Sequence, residues 1–110
     1  MSNILKKEPR DHPKVCDNMP DLRQEIDKLD REIVDLLSIR QSFMDQAARI
    51  KENRSLVRDE ARVRDVLDKV KQHAEKSGAH PELVEMLYRQ MIEWCINYEF
   101  SVYDTLEKPE

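Results

Sequence analysis

Residues 21–53 read DLRQEIDKLDREIVDLLSIRQSFMDQAARIKEN. Leu22, Leu29, Leu36, Phe43 and Ile50 recur every seven residues, and Ile26, Ile33, Arg40 and Ala47 form a companion row four residues on. Two such rows share one face of an α-helix. No proline falls between Pro20 and Pro81 to interrupt it. The pattern predicts a helix of roughly 33 residues, from Asp21 to near Asn53.

Such a helix is about 50 Å long at 1.5 Å per residue, whereas a compact chain of this size has a radius of gyration of about 13 Å. The elements after it are shorter. Asn53 to Arg58 reads as a loop, and Asp59 as the N-cap of a second helix with Val63, Val66, Leu67, Val70 and Ala74 on one face. Gly78, the single glycine, stops it, and Pro81 opens a third helix that runs to about Leu106. That third helix is apolar on several sides, with Leu83, Leu87, Met91 and Trp94 but also Ile92, Ile96, Val102 and Tyr103. Two shorter helices cannot cover the seam of the first. The expected fold is all-α, with one long, one short and one medium helix forming an intertwined homodimeric helical bundle.

Composition agrees with one small domain of 110 residues, 39% apolar and 38% charged. The expected division is a polar tail over 1–19, a helical domain over 20–106 and a short tail over 107–110. A net charge of −4 argues against nucleic acid as the main partner. No stretch has the apolar length of a signal peptide or a membrane span, so no membrane partner is expected and a cytoplasmic location is. Cys16 and Cys95 show no metal-type spacing and read as reduced thiols. His12, His73 and His80 read as surface histidines, and Met86, Met91 and Trp94 as core.

Arg40 occupies a core-facing position between Ile33 and Ala47, costly unless paired or facing a polar cavity. Lys51 lies eleven residues on, about 20° around the helix and about 16 Å along it, so the two cationic arms can converge on a small anion. Arg23 lies about 25 Å back from Arg40. It cannot share that site within one chain, but an antiparallel partner could supply it. Arg58 and Arg62 flank the start of the second helix, where backbone N–H groups favour anions; the plainer reading is a solvated basic patch. Glu99 shares one apolar stripe with Ile92, Cys95 and Ile96, an acid out of place, and a salt bridge to Arg40 or Lys51 would account for it. Arg40, Lys51, Arg62 and Glu99 can all face one cavity. No serine–histidine pair, glycine-rich loop or metal cluster stands out, so the residues suggest a small polyanion bound without a cofactor.

Ordered along the chain are Leu22-Arg23-x-x-Ile26-Asp27-x-Leu29-Asp30, Leu36-Leu37-x-x-Arg40, Ile50-Lys51, Arg58-Asp59-x-x-Arg62, and Met91-Ile92-Glu93 with its downstream acid. On these features the chain, from Met19 to Tyr103, resembles the all-α class of chorismate mutases and the related isochorismate pyruvate lyases. The resemblance implies an intertwined dimer with active sites shared between subunits. It implies that Arg40 and Arg23 of the partner subunit bind the carboxylates of a dicarboxylate substrate, that Lys51 donates to the ether oxygen, and that Arg62 lines the ring side. Asp59 matches a position near the ring hydroxyl, and Ala47, Ile92 and Ile96 match apolar walls. Cys95 stands where some members have a serine near a carboxylate.

Two positions depart from the common pattern. Val63 stands where many mutases have a glutamate that holds the ring hydroxyl, and the lyase branch tolerates an apolar residue there. Glu99 replaces the usual glutamine, although some fungal mutases have glutamate. The implied activity is rearrangement of chorismate to prephenate, a cofactor-free pericyclic step that needs conformational restriction and positive charge at the breaking ether. The alternatives are cleavage of isochorismate to salicylate and pyruvate, and a helical dimerisation module without catalysis. Ionised Glu99 would repel the ether oxygen whereas the protonated acid could donate to it, so activity is expected to rise toward acidic pH.

Overall fold

The computed structural model describes residues 14–106. It contains α1 (Met19–Ile50), a 3₁₀ turn (Arg54–Leu56), α2 (Glu60–Ser77) and α3 (Pro81–Thr105), with no strand among the described residues. Three helices of long, short and medium length agree with the heptad rows and with the punctuation at Asp59, Gly78 and Pro81. His12, most of the expected N-terminal tail and the C-terminal tail lie outside the described residues.

The boundaries of α1 differ from expectation at both ends. The helix begins two residues early because Asn18 caps it: its Oδ1 accepts from the Asp21 backbone N–H at 2.9 Å, and its carbonyl accepts from the Leu22 N–H at 3.1 Å. Pro20 fits in the first turn, where its missing N–H has no helical acceptor. At the other end the helix stops at Ile50, and Asn53 is already extended at φ −147°. The polar run after Ile50 gives no local stop signal. The stop comes from Val57, which is drawn into the core and has the backbone turn before it.

α2 begins as its sequence indicates. The Asp59 carboxylate accepts from the Arg62 N–H at 3.0 Å, and Gly78 ends the helix at φ 85°, the left-handed conformation, with Ala79 N–H returning to the Ala74 carbonyl at 3.0 Å. Gly78 is the only residue with positive φ among those described. Gly78→Ala is therefore expected to lower unfolding free energy by about 1–2 kcal/mol, read as a shifted urea midpoint at unchanged slope.

By its own packing the chain divides within α1 into Met1–Arg40 and Gln41–Glu110. In the second unit α2 and α3 form a hairpin across the short Gly78–His80 turn. Val57, Leu67, Ile92 and Ile96 are its buried centre, with Val63, Val66, Tyr88, Phe100 and Tyr103 packed around them. Each fully buried aliphatic side chain contributes about 1.5–3 kcal/mol. Lys71 on α2 meets Glu85 on α3 at 3.3 Å near the turn. In the first unit, α1 carries Leu22, Ile26, Leu29 and Ile33 between 38% and 45% exposed.

Met86 and Trp94, expected in the core, are exposed, Trp94 at 55%, while Met91 is half-buried. The reason lies in the α3 face that α2 covers: it runs through Ile92 and Ile96, which leaves Met86 and Trp94 off the contact. Trp94 stacks instead on Tyr98, ring centroids 5.2 Å apart. His73 and His80 are exposed, as expected. No described helix is long and apolar enough to cross a membrane.

Candidate active site

Glu99 is the buried charged residue of the described chain, 4% exposed. It lies on α3 with Ile92, Cys95 and Ile96 at spacings of three and four residues, which puts all four on one helix face. A carboxylate there is costly unless it finds a cation. Lys51, the first residue beyond α1, supplies one: its Nζ lies 2.7 Å from Glu99 Oε2 and 3.4 Å from the Val57 carbonyl. The lysine side chain is 27% exposed and that of Glu99 5%. The ammonium is thus anchored from the protein side while its side chain still reaches solvent. Of the two partners left open for Glu99 by its sequence position, the fold brings Lys51 to it.

The residues that share the Glu99 face of α3 are apolar. Ile92, Cys95 and Ile96 are buried and Val63 is half-buried against the same cluster. Ala48, near the end of α1, is fully covered, and Ala47 beside it is half-buried. Neither buried Cys95 nor half-buried Cys16 is in a disulfide.

The start of α2 is arranged otherwise than as an open anion site. The Asp59 carboxylate fills the N-terminal position itself by capping. Arg62 lies exposed with Nη1 2.6 Å from Asp65 Oδ2, an acid that Lys69 shares at 2.9 Å. These two cations, Lys69 first and then Arg62, hold the Asp65 carboxyl below the usual carboxylate range. Arg58 is no solvated patch either; it is forked onto Glu93 with two contacts of 2.9 Å.

Arg23 and Arg40 belong to the first unit. They stand seventeen residues apart on α1, about 25 Å by helical rise, with Arg23 exposed and Arg40 half-buried. Two guanidinium groups at that separation on one straight helix cannot hold one small molecule.

Several contacts carry no signal in the sequence. Arg54 forks onto Asp104, Nε to Oδ1 at 2.8 Å and Nη2 to Oδ2 at 3.2 Å, with its guanidinium 4.4 Å from the Phe100 ring centroid. Tyr103 donates to the Glu52 carbonyl at 3.3 Å, and Tyr98 to Asp45 Oδ1 at 2.7 Å. The Asp45 carboxylate raises the Tyr98 phenol above its ordinary value, while Arg58 and Arg54 hold Glu93 and Asp104 below theirs. The partners are 35 to 53 residues apart in sequence, and only the Trp94–Tyr98 stack, at i and i+4, has a local one. Among the described residues no three His, Cys, Asp or Glu side chains cluster closely enough to hold a metal ion.

Residues 22–100 match the family model described as chorismate mutase type II. That span contains Arg23, Arg40, Lys51, Asp59, Arg62, Val63, Ile92, Cys95, Ile96 and Glu99. The chain is also similar to the isochorismate pyruvate lyase of Pseudomonas aeruginosa, 32% identical over 84 residues, which are 76% of this chain and 83% of that protein.

Proposed function

Because this chain belongs to the chorismate mutase type II family, we propose that it rearranges chorismate to prephenate, with Lys51 as the charge that meets the breaking ether bond. The observation that carries this reading is the part-exposed Lys51 ammonium held 2.7 Å from a buried carboxylate. In the rearrangement a C–O bond breaks while a C–C bond forms within one molecule. No proton need be gained or lost. The catalytic requirement is to hold the enolpyruvyl arm over the ring and to place positive charge where the ether oxygen gains electron density. An ammonium anchored on Glu99 and the Val57 carbonyl is already oriented, so little reorganisation accompanies the reaction.

Arg40 would grip one substrate carboxylate and Arg23 of the partner subunit the other, with Arg62 at the ring side and Ile92, Ile96 and Val63 as walls. A homodimer in the cytoplasm completes the proposal. Its support is the apolar seam of α1, where Leu36 and Phe43 are 55% exposed and Ile50 66%. Exposed apolar side chains repeating along one helix face suit association with a second copy of the chain.

A second reading, cleavage of isochorismate to salicylate and pyruvate, is favoured by the similarity to the Pseudomonas lyase and by Val63. This residue packs in the hairpin core and offers no carboxylate to a ring hydroxyl. Lys51 would serve there too, stabilising the oxygen that leaves. Incubation of the protein with each substrate separately decides between them. Prephenate from chorismate supports the mutase, salicylate from isochorismate alone supports the lyase, and turnover of neither removes both.

Glu99 makes a further demand. As a carboxylate it holds the Lys51 ammonium in place but also competes with the ether oxygen for it. Glu99→Gln keeps an acceptor for Lys51 while removing the charge, and is expected to change kcat; a kcat equal to that of the wild type would show that Glu99 is only a structural counter-ion.

A further inference from the structure

The nine residues 51–59 between α1 and α2 begin with Lys51 and contain Val57, whose carbonyl accepts from the Lys51 ammonium. Beside the Lys51–Glu99 pair, three side chains fasten this connection to α3, and one of them, Arg58, also meets Glu60 on α2 at 3.3 Å. Arg54 is forked onto Asp104 and lies over Phe100, Arg58 is forked onto Glu93, and Tyr103 holds the Glu52 carbonyl. Glu93 and Asp104 are eleven residues apart, so they lie about 20° from each other around α3 and about 16 Å apart along it. Glu99 falls between them along the axis. The connection is therefore pinned on both sides of the point where Lys51 meets Glu99.

Stability is a poor explanation for the two arginine forks. Their side chains are 38% to 58% exposed, and exposed ion pairs contribute little to folding. Geometry is a better one. A planar guanidinium engaged through two nitrogens fixes orientation as well as distance, and a displacement of about 1 Å of a charge-stabilising group can cost about 10²-fold in rate.

We propose that Arg54 and Arg58, through Asp104 and Glu93, are positioning residues that hold the 51–59 connection against α3 and so aim the Lys51 ammonium. Neither touches substrate. The proposal rests on the reading of Lys51 as the charge at the ether oxygen.

The test uses the full-length chain with Arg54→Gln, Arg58→Gln, the double variant, and the exchanged pair Arg58→Glu with Glu93→Arg. The double variant is expected to lose about 10²-fold in kcat with KM within about threefold, at an unchanged thermal midpoint. Amide exchange at Leu56 and Val57, whose N–H groups close the turn onto Asn53 and Arg54, is expected to accelerate. The exchanged pair should recover most of the loss from Arg58→Gln, because the fork is rebuilt in reverse. An unchanged kcat with unchanged exchange overturns the proposal, and so does a loss that tracks the thermal midpoint. Should the wild-type protein turn over neither chorismate nor isochorismate, the functional reading fails by itself. The clamp is then judged by amide exchange and by the ¹⁵N-resolved Lys51 ammonium signal, expected in the wild type and broadened away in the double variant; its persistence there overturns the clamp.

Discussion

Lys51→Met is expected to reduce kcat/KM by about 10³-fold, the upper end of the range seen when one preorganised donor to a developing anion is removed. The same substitution strands Glu99, whose side chain is 5% exposed. Removing one member of such a pair costs about 3 kcal/mol, since the remaining charge keeps its desolvation penalty. The two effects separate in the double variant Lys51→Met with Glu99→Gln. There the buried group carries no charge, so most of the lost stability is expected to return while turnover does not. Urea unfolding at one fixed protein concentration gives the first quantity, and the two-substrate assay the second. A double variant that regained activity would show that Lys51 matters only as a counter-ion.

Arg40→Ala is expected to lower kcat/KM by about 10²–10³-fold through loss of a charge-assisted grip on a carboxylate, with helix content and solution mass retained. Arg23→Ala is expected to behave alike, although the two residues are about 25 Å apart on α1. Mixing the two inactive variants with co-refolding is the sharper measurement. If each site takes Arg40 from one subunit and Arg23 from the other, half of the dimers are mixed and each mixed dimer has one intact site, so about a quarter of wild-type activity returns. Recovery of none would remove the shared site. A module that only dimerises has no turnover for either substitution to reduce.

The parts of the fold written in local chemistry are legible along the chain. A seven-residue apolar repeat has one helical solution, an aspartate before a polar helix start caps it, and a lone glycine or a proline marks an end because only those residues relieve or impose the backbone angle. The end of α1 is not legible. Lys51 to Asn53 are compatible with helix, and the stop comes from Val57, which packs with Ile92 and Ile96, distant in sequence. Trp94 is exposed against expectation for a related reason. Periodicity shows that α3 has several apolar faces but not which one α2 covers.

The candidate site divides along the same line. Glu99 is conspicuous as an acid on an apolar stripe, and Lys51 as a cation beyond the long seam, so the residue types and their chemistry can be read from order and spacing. Their pairing cannot, because Arg40 is an equally good partner until the packing of 51–59 on α3 brings Lys51 to 2.7 Å. Arg54 and Arg58 give no sign at all: an exposed arginine looks the same whether solvated or forked onto an acid 35 or 50 residues on. Three helices and a set of side chains suited to a polyanion are thus encoded in the linear order of residues, since helical periodicity and charge are properties of near neighbours. Which charges neutralise each other, and which acid anchors the lysine, is settled by folding alone, since those pairings depend on distances that no linear spacing encodes.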